Sequence, residues 1–231
     1  MSKKVAVLQS NYIPWKGYFD IINSVDEFIF YDEVQYTKND WRNRNKIKTQ
    51  NGVQWLTIPV RVESLDQKIS EAKVSMHNWA DKHWRTMVTN YSKANAFKIY
   101  RDRFEKFYSG ITSEFLSEIN QQAIAFINDL LNIQTMITNS TAYRLSAGRN
   151  ERLLDLILQA GGTEYFSGPA AKSYINEKLF NEAGVKITWM DYSGYKEYNQ
   201  LFPPFEHGVS IVDLIFNEGD NAITYLKSHR A

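Results

Sequence analysis

The chain has 231 residues, enough for one substantial core or two small ones. With 43% hydrophobic and 23% charged residues it is neither disordered nor fibrous. A net charge of +1 excludes whole-surface attraction to nucleic acid or anionic membrane, though not a local basic patch. There is no cysteine, so disulfide frameworks, thiolate zinc sites, iron–sulfur clusters and cysteine nucleophiles are all removed.

The first apolar run, Val5 to Ser10, is too short for a signal peptide, and no later run approaches the ~20 apolar residues of a membrane span. The expectation is a cytoplasmic protein with no membrane span. Aromatic residues reach 14%, more than a core of this size needs, which points to a ligand groove.

Lys4-Val5-Ala6-Val7-Leu8 reads as a buried strand. A polar turn, Gln9 to Gly17, leads to a helix from about Tyr18 to Ser24 and then a second strand, Glu27 to Asp32. This is the size of one βαβ unit. Lys38 to Lys48 is basic and reads as a loop. Asn51-Gly52 marks a tight turn, and Val53 to Val60 reads as a third strand that Pro59 ends or places at an edge.

Helical spacing then runs through Trp79–Tyr108 and again through Ser113–Leu131, predicting two packed amphipathic helices. Further strands are predicted at Thr135–Thr138, Thr163–Phe166 and Val185–Met190. Helices are predicted at Asn150–Leu158, Ala171–Glu182, Val209–Phe216 and Asn221–Ser228. The alternation predicts an α/β fold: a doubly wound, mostly parallel, Rossmann-like sheet. It is read as one domain, 1–231, with 77–131 as a helical insertion.

In such sheets ligands sit beyond the carboxyl ends of the strands. Gln9, Asn11, Tyr12, Trp15 and Lys16 fall in the first such turn, and Gly17 would let backbone come close to a ligand. Asp32 closes the second strand. In Trp41-Arg42-Asn43-Arg44-Asn45, an extended segment would point Arg42 and Arg44 the same way, as a diphosphate clamp requires. Ser167-Gly168-Pro169, with Lys172 and Tyr174, opens a helix where N–H groups and hydroxyls could converge on an anion; plain helix capping explains Ser167 and Pro169 equally. His77 and His83 are six residues apart, which does not put two metal ligands on one helix face. No metal site is assigned, and His77 is kept as a single general base.

Several of these segments together resemble the WbqC-like proteins of bacterial surface-polysaccharide gene clusters. They are Gln9 to Phe19, Asp32 to Tyr36 leading into Trp41–Asn45, Ser167-Gly168-Pro169 with Tyr174, and Val209 to Asn217. Where the resemblance puts a cysteine after Asn217, this chain has Glu218. The resemblance implies a part in building O-antigen, the glycan of lipopolysaccharide, from nucleotide-linked sugars. The opening strand, turn, Gly17 and helix also look like the nucleotidyltransferase and class I synthetase superfamily, without either signature histidine.

Together these imply a transferase or amide ligase that attaches an acyl or aminoacyl group, such as glycine, to the amine of a nucleotide-linked amino sugar. Lys16, Arg42 and Arg44 would hold phosphates. Tyr12, Trp15 and Trp41 would stack on base or sugar. Asp32 or His77 would take the amine proton. No cofactor is fixed; ATP with Mg is one source of activation and charged tRNA another. DNA is not expected, and a homodimer is left open. The alternative is a non-catalytic binder of the sugar nucleotide or of a pathway partner.

Overall fold

The computed structural model describes residues 2–76 and 78–229. Its centre is a five-stranded parallel sheet of β1 (Lys4–Leu8), β2 (Glu27–Phe30), β7 (Met136–Asn139), β8 (Glu164–Ser167) and β9 (Lys186–Trp189), in the order β7-β2-β1-β8-β9. Because side chains alternate, Val5 and Val7 of β1 and Ile29 of β2 pack on one face, and Ala6, Phe28 and Phe30 pack on the other.

The first face is covered by α5 (Arg149–Gln159) and α6 (Glu177–Glu182), through Leu153, Leu156, Ile157 and Phe180. The second is covered by α1 (Lys16–Asn23), α4 (Leu116–Leu130) and α7 (Ile211–Glu218). This is the doubly wound arrangement that the alternation predicts. The strands succeeding β1 first build toward β7, then the chain returns to build toward β9. The topological switch therefore lies between the carboxyl ends of β1 and β8.

The stretch 77–131 contains α2 (Trp79–Tyr91), α3 (Phe97–Ser109) and α4, three helices where the spacing predicts two. The break after α2 has a tertiary cause: the Ala96 N–H bonds the Phe216 carbonyl of α7 at 2.9 Å instead of continuing the helix. The apolar faces of these helices share one core with α1 and the sheet.

The basic stretch read as a loop is a strand for half its length. β3 (Arg44–Thr49) pairs antiparallel with β4 (Gly52–Thr57) through a tight turn, in which Gly52 takes φ +97°. Asn45 and Ile47 are buried while Arg44 and Lys46 are half-exposed, so the alternation was present but masked by a polar residue on the inner face. This hairpin stands off the main sheet, so the strand predicted over 53–60 is not one of its members. A smaller ribbon of β5 (Val60–Arg61) and β6 (Lys73–Val74) follows it. The helix predicted over 171–182 is a 3-10 turn at Pro169–Ser173 followed by α6. The one predicted over 221–228 is 3-10 helix at Gly219–Tyr225.

Candidate functional site

A crevice of about 670 Å³ opens at the switch point. Gln9 enters it from the end of β1, Tyr31 and Gln35 from beyond β2, and Ser167 and Gly168 from the end of β8. Gly148, Arg149, Asn150 and Arg152 enter from the start of α5. α5 opens on Gly148 at φ +102°, and no side chain caps its first N–H groups.

Arg149 lies over the Tyr174 ring, its guanidinium carbon 3.5 Å from the centroid. Asn150 donates to the Tyr174 carbonyl at 3.2 Å and accepts from the Asn176 N–H at 2.9 Å, which fixes the loop carrying Tyr174. Arg152 donates through Nε to the Ser146 carbonyl at 2.9 Å. Among the described residues neither Arg149 nor Arg152 has a carboxylate partner. The start of α5 already carries one acid, Glu151, whose carboxylate lies over Gly148; Arg149 and Arg152 add two positive charges against it, so the crevice side of the helix start is net basic.

These arginines and Gly148 were not singled out in the sequence. The only signal was weak, two arginines flanking the predicted helix start at Asn150 with Glu151 between them.

The residues expected to bind substrate divide into three groups. Gln9, Ser167, Gly168 and Tyr174 line the crevice. Asn11, Trp15, Trp41 and Asn45 line a separate pocket of about 310 Å³, with Pro14 and Gly208. The remainder lie at neither.

Tyr12 is fully buried, its hydroxyl 2.8 Å from His83 Nδ1 and 2.9 Å from the Tyr108 hydroxyl, so it has no face for a base or sugar. Lys16 is buried too. Its ammonium lies 5.2–5.5 Å from the Tyr195, Tyr198 and Phe205 rings and donates to the Lys196 carbonyl at 3.3 Å. Burial pushes its pKa down to about 8 against the attraction of Asp213 and Glu197. It is a caged lysine, not a phosphate ligand of the crevice. Lys172 points instead to the Trp189 ring, 5.5 Å away.

The paired guanidinium clamp does not form. Arg42 bonds Gln9 Oε1 and pairs with Asp40 at 3.1 Å, while Arg44 lies 4.2 Å above Trp55. The β3 side chains share a phase, but Arg42 precedes the strand and its turn sends it elsewhere. Asn43 and Asn45 are fasteners. Asn43 donates to the Ile58 carbonyl at 2.9 Å, and Asn45 to the Tyr12 and Ile13 carbonyls at 3.1 Å each.

Gly17 serves its neighbour: a Cβ there would come within 2.3 Å of the Trp15 ring. The glycine makes room for the indole, not for a ligand.

Asp32 is buried, and its carboxylate accepts from the Ser10 N–H at 2.8 Å, from Ser117 Oγ and from Gln121 Nε2 at 3.1 Å. It ties the first loop to α4 and does not line the crevice, so it anchors the site and cannot reach a substrate amine there. His77 lies outside the described residues.

The loop from Gln9 to Trp15 separates crevice from pocket and is pinned throughout. Ile13, a β-branched residue, is held at φ +35°. Its carbonyl accepts from Asn45 and from Ser210 Oγ at 2.7 Å, and the Pro14 carbonyl accepts from the Ile211 N–H at 2.9 Å.

A parallel α/β sheet with a crevice at its switch point places this chain among the open α/β proteins, whose ligands commonly sit there. More narrowly, the chain belongs to the WbqC-like protein family, whose sequence model matches residues 9–225. It is 49% identical over 226 residues to "Uncharacterized protein Rv1507c" of Mycobacterium tuberculosis, covering 97% of this chain and 98% of that protein. No solved structure matches it. Among the described residues no helix is long and apolar enough to cross a membrane.

Proposed function

We propose that this protein binds a nucleotide-linked amino sugar in the switch-point crevice and joins an acyl or aminoacyl group to the sugar amine, as a step of surface-glycan assembly. The observation that carries the binding half is the pair Arg149 and Arg152, neither with a carboxylate partner among the described residues, flanking Glu151 at the start of α5 and facing the Ser167-Gly168 turn. Phosphate oxygens would take forked bonds from the guanidinium groups and N–H bonds from the helix start. Tyr174, braced beneath Arg149, would flank the base or sugar.

In the reaction the neutral amine nitrogen attacks the acyl carbon, an amide C–N bond forms, and the donor's leaving group departs. The crevice lining holds no carboxylate and no imidazole among its described residues. The amine proton would therefore pass to water or to the departing group. Catalysis would rest on holding two reactants in attack geometry, worth ~7–11 kcal/mol at best. The donor would be an acyl-adenylate made with ATP and Mg, or an aminoacyl-tRNA.

The same lining favours a second reading, a sugar-nucleotide binder that performs no chemistry. The experiment that tests both is calorimetric titration with UDP- and dTDP-linked amino sugars, followed by mass spectrometry of mixtures containing ATP and an amino acid, or charged tRNA. Binding that weakens at least tenfold in Arg149→Ala or Arg152→Ala supports the crevice. An acylated sugar nucleotide supports the transferase, and binding without product in any mixture supports the binder. No affinity for any sugar nucleotide sinks both.

A further inference from the structure

The small pocket beside Trp41 has no part in that reading, and its chemistry differs. We infer that it is a second ligand site, for a saccharide ring carrying a phosphate or comparable anionic group.

Its walls are indoles held in place. Trp15 is braced by the edges of Tyr192 and Tyr195, with centroids at 5.2 and 5.8 Å. Trp41 is 40% exposed and packs against Trp55, 38% exposed, at 5.3 Å between centroids. Exposed indoles fixed by their neighbours offer flat apolar faces at little ordering cost. The volume, about 310 Å³, is at the low end for ligand pockets and suits one ring with its substituents.

The polar groups then narrow the ligand. Asn11 lines the pocket, and its Oδ1 is buried out of reach, so its amide meets a ligand through Nδ2, which has no partner among the described residues. A purely apolar ligand would strip water from that N–H and leave it unpaired. A ring hydroxyl would accept from it. The other amide of the lining, Asn45, is already used by the Tyr12 and Ile13 carbonyls.

Two cations stand beside the Trp41–Trp55 pair, outside the pocket lining itself. Lys46 Nζ lies 5.9 Å from the Trp41 centroid and 5.3 Å from that of Trp55, and Arg44 is stacked on Trp55, its Nε buried. Among the described residues neither side chain pairs with a carboxylate. An apolar ring face, a hydrogen-bond acceptor and an anion are combined in a sugar phosphate. A nucleobase supplies the ring but brings no charge, and inorganic phosphate brings charge but no ring. The inference stands on Trp41, Asn11 and Lys46 and does not require the crevice reading.

The test is ligand-observed NMR and calorimetry with glucosamine 1-phosphate, run in the intact chain and in the Arg149→Ala/Arg152→Ala double variant, where the crevice no longer holds phosphate. Saturable binding should survive in the double variant. Adding Trp41→Ala should weaken it at least tenfold, and Lys46→Gln should weaken it several-fold and flatten its salt dependence. Asn11→Leu should weaken it comparably; because that change could disturb the loop, Trp41→Ala on its exposed ring is the deciding variant. No binding in the double variant overturns the inference, as does unchanged binding after Trp41→Ala. Equal affinity for a nucleoside or for inorganic phosphate also overturns it. Sugar-phosphate binding in an intact chain that has no affinity for any sugar nucleotide would instead retire the crevice reading alone.

Discussion

The Tyr12 hydroxyl and His83 Nδ1 meet at 2.8 Å, and this bond fastens the loop after β1 to the helical layer. His83 Nε2 lies 3.2 Å from the Thr57 carbonyl, which can only accept, so Nε2 carries the proton; burial keeps the ring neutral, and Nδ1 then accepts from the tyrosine. Tyr108 completes the group at 2.9 Å. A residue expected to stack on substrate is therefore a structural pin, and the pin is sensitive to acid.

Burial pushes the His83 pKa from 6.5 down to about 4, only partly offset by the bond to Thr57. The unfolded chain then binds a proton that the folded chain refuses. Stability is full above pH 6.5 and falls as pH drops toward 4, by about 3 kcal/mol from this residue. Urea midpoints measured from pH 7.5 to 4.5 should fall more steeply in the wild type than in His83→Gln. Parallel slopes would show that another group governs the acid limb.

Replacing Gly17 with alanine should move Trp15. The added Cβ would lie 2.3 Å from an indole that is itself wedged between Tyr192 and Tyr195. Overpacking of this kind costs about 1–3 kcal/mol. A lowered thermal midpoint with altered tryptophan emission is the expected pair of observations, and unchanged emission would mean that the indole has not moved.

Asp32→Asn separates anchoring from catalysis. The carboxylate has three donors and no path to the crevice, so its loss should destabilise the fold by about 2–4 kcal/mol, as hydrogen bonds to charged groups do when their partners are left unpaired. Denaturant titration measures this. A variant of normal stability that binds ligand but forms no product would restore Asp32 as the base.

Arg42→Ala and Arg149→Ala should differ in rank. Arg42 is half-neutralised by Asp40 and acts on the crevice only by holding Gln9, so its removal should weaken sugar-nucleotide binding about two- to fivefold. Arg149 has no carboxylate partner among the described residues and lines the crevice, so its loss should cost at least tenfold. Isothermal titration of both variants gives the order, and the reverse order would move the phosphate site to the β3 side.

The sheet was legible because its strands are short apolar runs separated by glycine and helical spacing, and Val5, Phe28, Tyr165 and Ile187 all fall where the pattern puts them. The crevice was legible by location, since Gln9, Ser167 and Gly168 end strands. What the pattern could not show is direction. Trp15, Tyr12 and Lys16 are adjacent in sequence yet reach a pocket, the core and an aromatic cage. Which way each turns depends on Ile13 taking a positive φ, a tertiary effect with no signature in neighbouring residues. The second half of the site comes from α5, more than a hundred residues downstream, and only the fold brings it beside Gln9.

Ile13 has one further consequence. A branched residue at φ +35° is uphill by about 1–3 kcal/mol and persists only where surroundings dictate it. Here Asn45 and Ser210 both hold its carbonyl, and Asp32 holds the N–H three residues earlier. The wall between crevice and pocket is therefore finished before any ligand arrives. Guests on either side meet a rigid partition, so each would bind as to a lock already cut, with fast association and little heat spent on rearranging the host.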